Sequence, residues 1–213
     1  MATLLDSLGP RAALVEIGRD FHARGWMSGS AGNLSVRADT GHFWITASGK
    51  PKGRLDEDDF LLVRATDGMV VEKCRATDSP SAETAIHATL YRLFPDAGAA
   101  LHGHSVDAVL AATQAKAGSA GLRLPSIEMI KGFDLWLQSP KVDLALFENR
   151  LDVASIAADI EKRFRKKAPP LTALLIRDHG ATVWGRSLQE AYNRFECLEF
   201  ILAVTARQRS RKR

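Results

Sequence analysis

The chain has 213 residues, 46% of them apolar and 25% charged, a globular composition whose length suits one sizeable domain better than two. No window approaches the roughly eighteen uncharged apolar residues that a membrane-spanning helix needs, which excludes that class. The two cysteines, Cys74 and Cys197, lie far apart without a CxxC pair; this suggests neither a disulfide framework nor a thiolate zinc site, and makes the cytoplasm the expected location.

Net charge is +4, and much of the excess sits in Arg163–Lys167 and in the terminal run Arg207–Arg213. The terminal run is expected as a disordered basic tail after a single domain over residues 1–206. It has the charge for nonspecific nucleic-acid contact, but no aromatic residues interleave with it as in a nucleic-acid-binding module. A small anionic substrate would need only a local positive patch.

The first helix is expected to begin near Pro10, a residue suited to a first turn, and to stop at Gly25, with Leu14, Val15, Ile17 and Phe21 as its buried stripe. Two hairpins follow. Asn33–Arg37 and Phe43–Thr46 flank a polar turn, and Leu61–Arg64 and Met69–Val71 flank another that ends in Asp67-Gly68. Connections this short do not allow crossovers, so the sheet is expected to be largely antiparallel. Ser79-Pro80 reads as a cap and first-turn proline for a helix ending near Pro95. A strand over 99–104 leads to Ser105, which can cap a helix Val106–Lys116. Residues 117–172 carry no assigned element. Ala173–Arg177 and Ala181–Trp184 read as strands around the turn Asp178-His179-Gly180, and Ser187-Leu188-Gln189-Glu190 as a capping box opening the last helix. Helices punctuating a mainly antiparallel sheet predict an α/β (α+β) domain of three α/β/α layers.

"HGHS" at 102–105 then asks for an explanation. Residues two apart on a strand face the same way, so His102 and His104 would project together. They can be a hydrogen-bonded core pair, or two ligands of a metal that needs at least one more. His179, in a turn before Gly180, is the best third ligand; His22, His42 and His87 read as structural or solvated. Two glycine-rich loops, Ser28-Gly29-Ser30-Ala31-Gly32-Asn33 and Thr46-Ala47-Ser48-Gly49-Lys50, offer hydroxyls and backbone N–H groups for an anion, with Lys50 and Lys52 adding charge. With Ser81 at a helix start they form a candidate phosphate pocket.

The stretches "GWMSGSAGNLSVR", "WITASGKPKGRLDEDDFLLV", "SPSAETAIHATLYRLFPDAGAALHGHS" and "LLIRDHGATVWGRSLQEAYNRFECLEFIL", in this order, resemble the class II aldolase/adducin family from about Leu14 to Val204. "IEMIKGF" at 127–133, the SGK-x-KG stretch at 48–53 and "HG…WG" before the E-x-x-EF helix are most similar to the dehydratase branch of that family.

The resemblance implies a three-layer fold around a mainly antiparallel sheet, one zinc ion per subunit, and a homotetramer with its sites near subunit interfaces. It implies a hydro-lyase that removes water from 5-methylthioribulose 1-phosphate, giving 5-methylthio-2,3-dioxopentyl phosphate, in methionine salvage. By position it makes His102, His104 and His179 the metal ligands, Gly32, Asn33, Ser48, Gly49 and Ser81 the phosphate site, Glu128 the acid/base and Glu83 a second catalytic glutamate. Three departures stand out: Ala82 where aldolases tend to have a serine, Thr182 where dehydratases often carry tyrosine, and Pro51 where an acid is common. Phe133, Trp136 and Trp184 are aromatic candidates for the methylthio group or for the core. A sugar-phosphate aldolase or epimerase is the rival enzyme, and a non-catalytic adducin-like binding module is the rival outside enzymology.

Overall fold

The computed structural model describes residues 5–208. Its first long helix, α1 (Pro10–Ala23), starts with proline in the first turn, and the chain leaves it through Gly25 at φ +75°. The expected stripe of Leu14, Val15, Ile17 and Phe21 is buried. The strands are β1 (Asn33–Arg37), β2 (His42–Thr46), β3 (Phe60–Arg64), β4 (Val70–Lys73), β5 (Ala99–Gly103), β6 (Gly121–Arg123), β7 (Asp143–Phe147), β8 (Ala173–Ile176) and β9 (Gly180–Gly185). They form one sheet in the order β4-β3-β2-β1-β5-β9-β8-β7-β6. Among the described residues, every neighbouring pair is antiparallel except β7–β8, so the mainly antiparallel sheet holds.

The remaining helices are α2 (Thr84–Leu93), α3 (Val106–Ala112), α4 (Val153–Lys166) and α5 (Leu188–Gln208). Strand residues alternate between two cores, which makes three layers. Leu34, Leu101, Leu175 and Val183 face α1, α3 and α5, where they meet Phe21, Ala108, Phe195 and Leu202. Ile45, Ala100, Leu174 and Trp184 face α2 and α4, where they meet Ile86, Leu90, Ile160 and Phe164. No helix among the described residues is long and apolar enough to cross a membrane.

Four features depart from expectation, three through contacts between distant segments and one, the capping box, through a local contact. The helix expected at Ser79-Pro80 begins at Thr84, since Pro80 bridges Ala47 and Ser79 O accepts from Ser48 N at 2.9 Å. Helix α3 stops at Ala112, four residues short of Lys116, where the Arg177 guanidinium takes the carbonyls of Ala112 (3.1 Å) and Lys116 (3.3 Å). The capping box is half made: Ser187 Oγ accepts from Glu190 N at 3.1 Å, but the Glu190 carboxylate turns to Arg186 N. Finally, Arg207 and Gln208, expected in the tail, continue α5, with Arg207 paired to Asp107 at 3.1 Å; residues 209–213 lie outside the described residues.

Candidate metal centre

Strand register brings the site together. Asn33 on β1 and Thr182 on β9 flank His102 on β5 from either side, and all three lie on the α2 face of the sheet. His104 follows the end of β5, and His179 sits in the turn that enters β9 beside Gly180. A Cβ at Gly180 would lie 2.2 Å from Gly103 O and 3.1 Å from His104, so only glycine allows the two chains to close around the rings. Glu83 arrives from the turn that opens α2.

The three imidazoles converge. His102 Nε2 lies 2.8 Å from His104 Nε2 and 3.3 Å from His179 Nε2. Glu83 Oε1 lies 2.6 Å from His179 Nε2, 3.1 Å from His102 Nε2 and 3.9 Å from His104 Nε2. One ligand atom from each of the four residues thus falls within 4.8 Å of the others, a group that can hold a metal ion.

The protonation pattern fits that occupant. His179 Nδ1 meets Asn149 Oδ1 at 3.3 Å, which turns Nε2 toward the Glu83 carboxylate. Glu83 Oε1 is a buried oxygen with no hydrogen-bond partner of its own, which a cation shared with the rings would satisfy. Burial first, then the charges of His102 and His179, push His104 down to about 3, so its ring is neutral near pH 7. Burial would raise the Glu83 carboxyl, but the positive field of His102 and His179 outweighs it and holds the group well below the usual carboxylate range. A neutral His104 ring beside an ionised Glu83 carboxylate is a pairing that a metal binds.

The glycine-rich loops flank this group. Gly32, at φ +78°, passes so close to the next strand that a Cβ would lie 2.7 Å from His102 O. The buried Asn33 amide donates to Glu83 Oε2. Ser48 and Gly49 are exposed, and the Ala47–Pro80 bridge holds them beside Ser81, whose Oγ accepts from Glu83 N at 3.3 Å. The two lysines differ from the simple positive patch expected. Lys50 is ion-paired to Asp59 (3.0 Å) and Asp78 (2.8 Å). Lys52 is buried, and its Nζ donates to Ser30 O and Lys50 O, both at 2.8 Å.

Glu128 stands apart from the group in its own chain. It opens a 3-10 turn, Glu128–Phe133, with its side chain 81% exposed and paired to Lys131 at 2.7 Å. Of the aromatic candidates, Phe133 and Trp184 are core residues and Trp136 is exposed. Of the histidines read as structural or solvated, His42 pairs with Asp39 and His22 Nδ1 donates to Met27 O, while His87 is wholly buried against Ser35 Oγ at 2.7 Å.

Sequence reasoning missed two supporting residues. Thr182 Oγ1 meets His102 Nδ1 at 2.9 Å, and Asn149 meets His179 from the loop after β7. The β5–β9 register would have revealed the first; no local signal marks the second.

Residues 12–206 match the Class II Aldolase and Adducin N-terminal domain. A methylthioribulose-1-phosphate dehydratase of Microcystis aeruginosa is 49% identical over 192 residues, covering 90% of this chain and 92% of the relative. One from Leptospira biflexa is 38% identical, covering 96% of this chain and all of the relative (100%). Among solved structures, the l-fuculose-1-phosphate aldolase of Thermus thermophilus superposes with a TM-score of 0.73 at 27% identity, covering 95% of this chain and 97% of the other.

Proposed function

The chain belongs to the class II aldolase and adducin N-terminal domain family, and from that premise we propose that it is a hydro-lyase that removes water from 5-methylthioribulose 1-phosphate, using zinc held by His102, His104 and His179. The observation that carries this reading is the convergence of three imidazole nitrogens and the Glu83 carboxylate within 4.8 Å.

Loss of water takes a proton from carbon 3, beside the carbonyl, and the hydroxyl from carbon 4, so negative charge develops on the oxygens at carbons 2 and 3. His102, His104 and His179 would hold a zinc ion, which would supply Lewis acidity against that developing charge. The protein's own groups do the rest. Thr182 and Asn149 fix the orientation of the His102 and His179 rings from their far sides. The Asn33 amide holds Glu83 Oε2, which leaves the unpartnered Oε1 turned toward the rings as a proton acceptor.

We assign proton removal at carbon 3 to Glu128 and keep Glu83 as a second proton carrier. A general base works within about 3 Å of its proton. Glu128 is exposed and outside the metal group of its own chain, and we place it in the site of a neighbouring chain, in a homotetramer whose sites lie near subunit interfaces. Gly32, Asn33, Ser48, Gly49 and Ser81 are the phosphate site, supported by the bridge that joins the Ser48 and Ser81 stretches and by the helix start at Thr84, whose dipole favours an anion.

The test is to incubate the purified protein with methylthioribulose 1-phosphate and, separately, with fuculose 1-phosphate. Water loss from the first supports the dehydratase; carbon–carbon cleavage of the second supports the aldolase reading, which the fold of the Thermus relative keeps in play. Ala82, without a hydroxyl, favours the dehydratase. A non-catalytic binding module has no use for the intact ligand set.

A further inference from the structure

Lys52 is a lysine that the proposed reaction does not use, yet it is 1% exposed. Burying an ammonium is costly, and here burial pulls it down to about 8 against the opposing pull of Glu83 and Asp59. Two hydrogen bonds from the ammonium offset that cost: Nζ donates to Ser30 O and to Lys50 O, each at 2.8 Å. The first reaches the loop 28–33, which the backbone N–H of Lys52 also meets at Gly29 O (3.1 Å), and the second holds the end of the loop 46–50. Among the hydrogen bonds of the described residues, these are the ones through which a single side chain joins both loops. Lysine suits the task because its flexible stem carries donors that can separate toward two carbonyls, where the planar arginine fork cannot.

We propose that Lys52 is a positioning residue that clamps the loops 28–33 and 46–50 into one cradle for the substrate phosphate without itself touching the phosphate. The inference rests on the phosphate site proposed above and changes the part Lys52 plays in it. A lysine in direct contact with phosphate presents its ammonium to the ligand; this one is enclosed and its Nζ turned to two backbone carbonyls. The clamp also couples the cradle to the metal group, because the loop it holds ends in Gly32 and Asn33, and Asn33 carries Glu83.

The test compares wild-type protein, purified without chelators, with Lys52→Met and Lys52→Gln, first by amide hydrogen exchange without substrate. In Lys52→Met, amides in both 28–33 and 46–50 should exchange faster by about tenfold or more, the scale of one to two lost hydrogen bonds. Lys52→Gln keeps N–H donors and should fall between the other two. KM for methylthioribulose 1-phosphate should rise about tenfold while kcat falls by less than about threefold, with metal content unchanged. Faster exchange confined to one loop, or in neither, overturns the clamp, as does an unchanged KM once both loops are released. If Lys52→Met is globally unfolded, Lys52→Gln decides by the same criteria. If wild-type protein does not turn over this substrate, the proposed reaction falls, while the exchange comparison still judges the clamp.

Discussion

Thr182 Oγ1 lies 2.9 Å from His102 Nδ1, on the side of the ring opposite the nitrogen that faces His104, His179 and Glu83. A hydrogen bond to the remote nitrogen fixes both the tautomer and the angle of a ligating imidazole, and losing such a partner typically weakens metal binding by about 10- to 100-fold. Thr182→Val removes the hydroxyl and keeps the shape. Competition with a chromophoric chelator should read a weaker metal affinity of that size; an affinity equal to wild type would mean that strand packing alone orients the ring.

The two glutamates separate by their dependence on neighbours. Glu128→Gln should retain metal and lose turnover by about a hundred- to ten-thousand-fold, the usual contribution of a positioned acid–base group. Mixed oligomers formed from Glu128→Gln and His179→Ala chains should recover activity, because some sites then combine intact histidines with an intact Glu128 from the next chain. Near-native turnover in Glu128→Gln would remove it from the mechanism, and failure of mixed oligomers to recover would remove its service to a neighbouring site.

Glu199 on α5 is buried, with one oxygen unpartnered. Burial first raises it to about 7 from 4.5, the Ser105 hydrogen bond opposes this, and the charge of Asp107 adds to it. A carboxyl whose folded value is raised contributes stability that is fully present below about 4.5 and is lost as pH rises through about 7. Glu199→Gln removes that dependence. Urea unfolding should find the variant more stable than wild type at pH 8, by on the order of 1–3 kcal/mol, and close to it at pH 4.5. An equal difference at both pH values would refute the linkage.

Much of this architecture is readable along the chain because it is written in local patterns. Pro10 and Gly25 bracket α1, and the alternating strands of the two hairpins point their apolar residues to opposite cores. The spacing of His102 and His104, with His179 in its glycine turn, is a local signature as well. What escapes is decided between distant segments. Ser79-Pro80 has the chemistry of a helix start, and only the bridge from Ala47 explains why the helix waits until Thr84. Lys50 reads as a free cation until Asp59 and Asp78 close on it. Nothing local in the sequence shows that the side chain of Asn33, beside Gly32 in the candidate phosphate loop, also holds Glu83 in the folded chain.

The central claim is that His102, His104 and His179 hold one metal ion, and it is tested most directly by the metal-to-chain ratio of protein purified without chelators. Zinc close to one equivalent in wild type, falling close to zero in His179→Ala with the fold intact by circular dichroism, is the predicted result. Wild-type protein that turns over substrate with no stoichiometric metal, or a His179→Ala variant that retains its full complement, would contradict it.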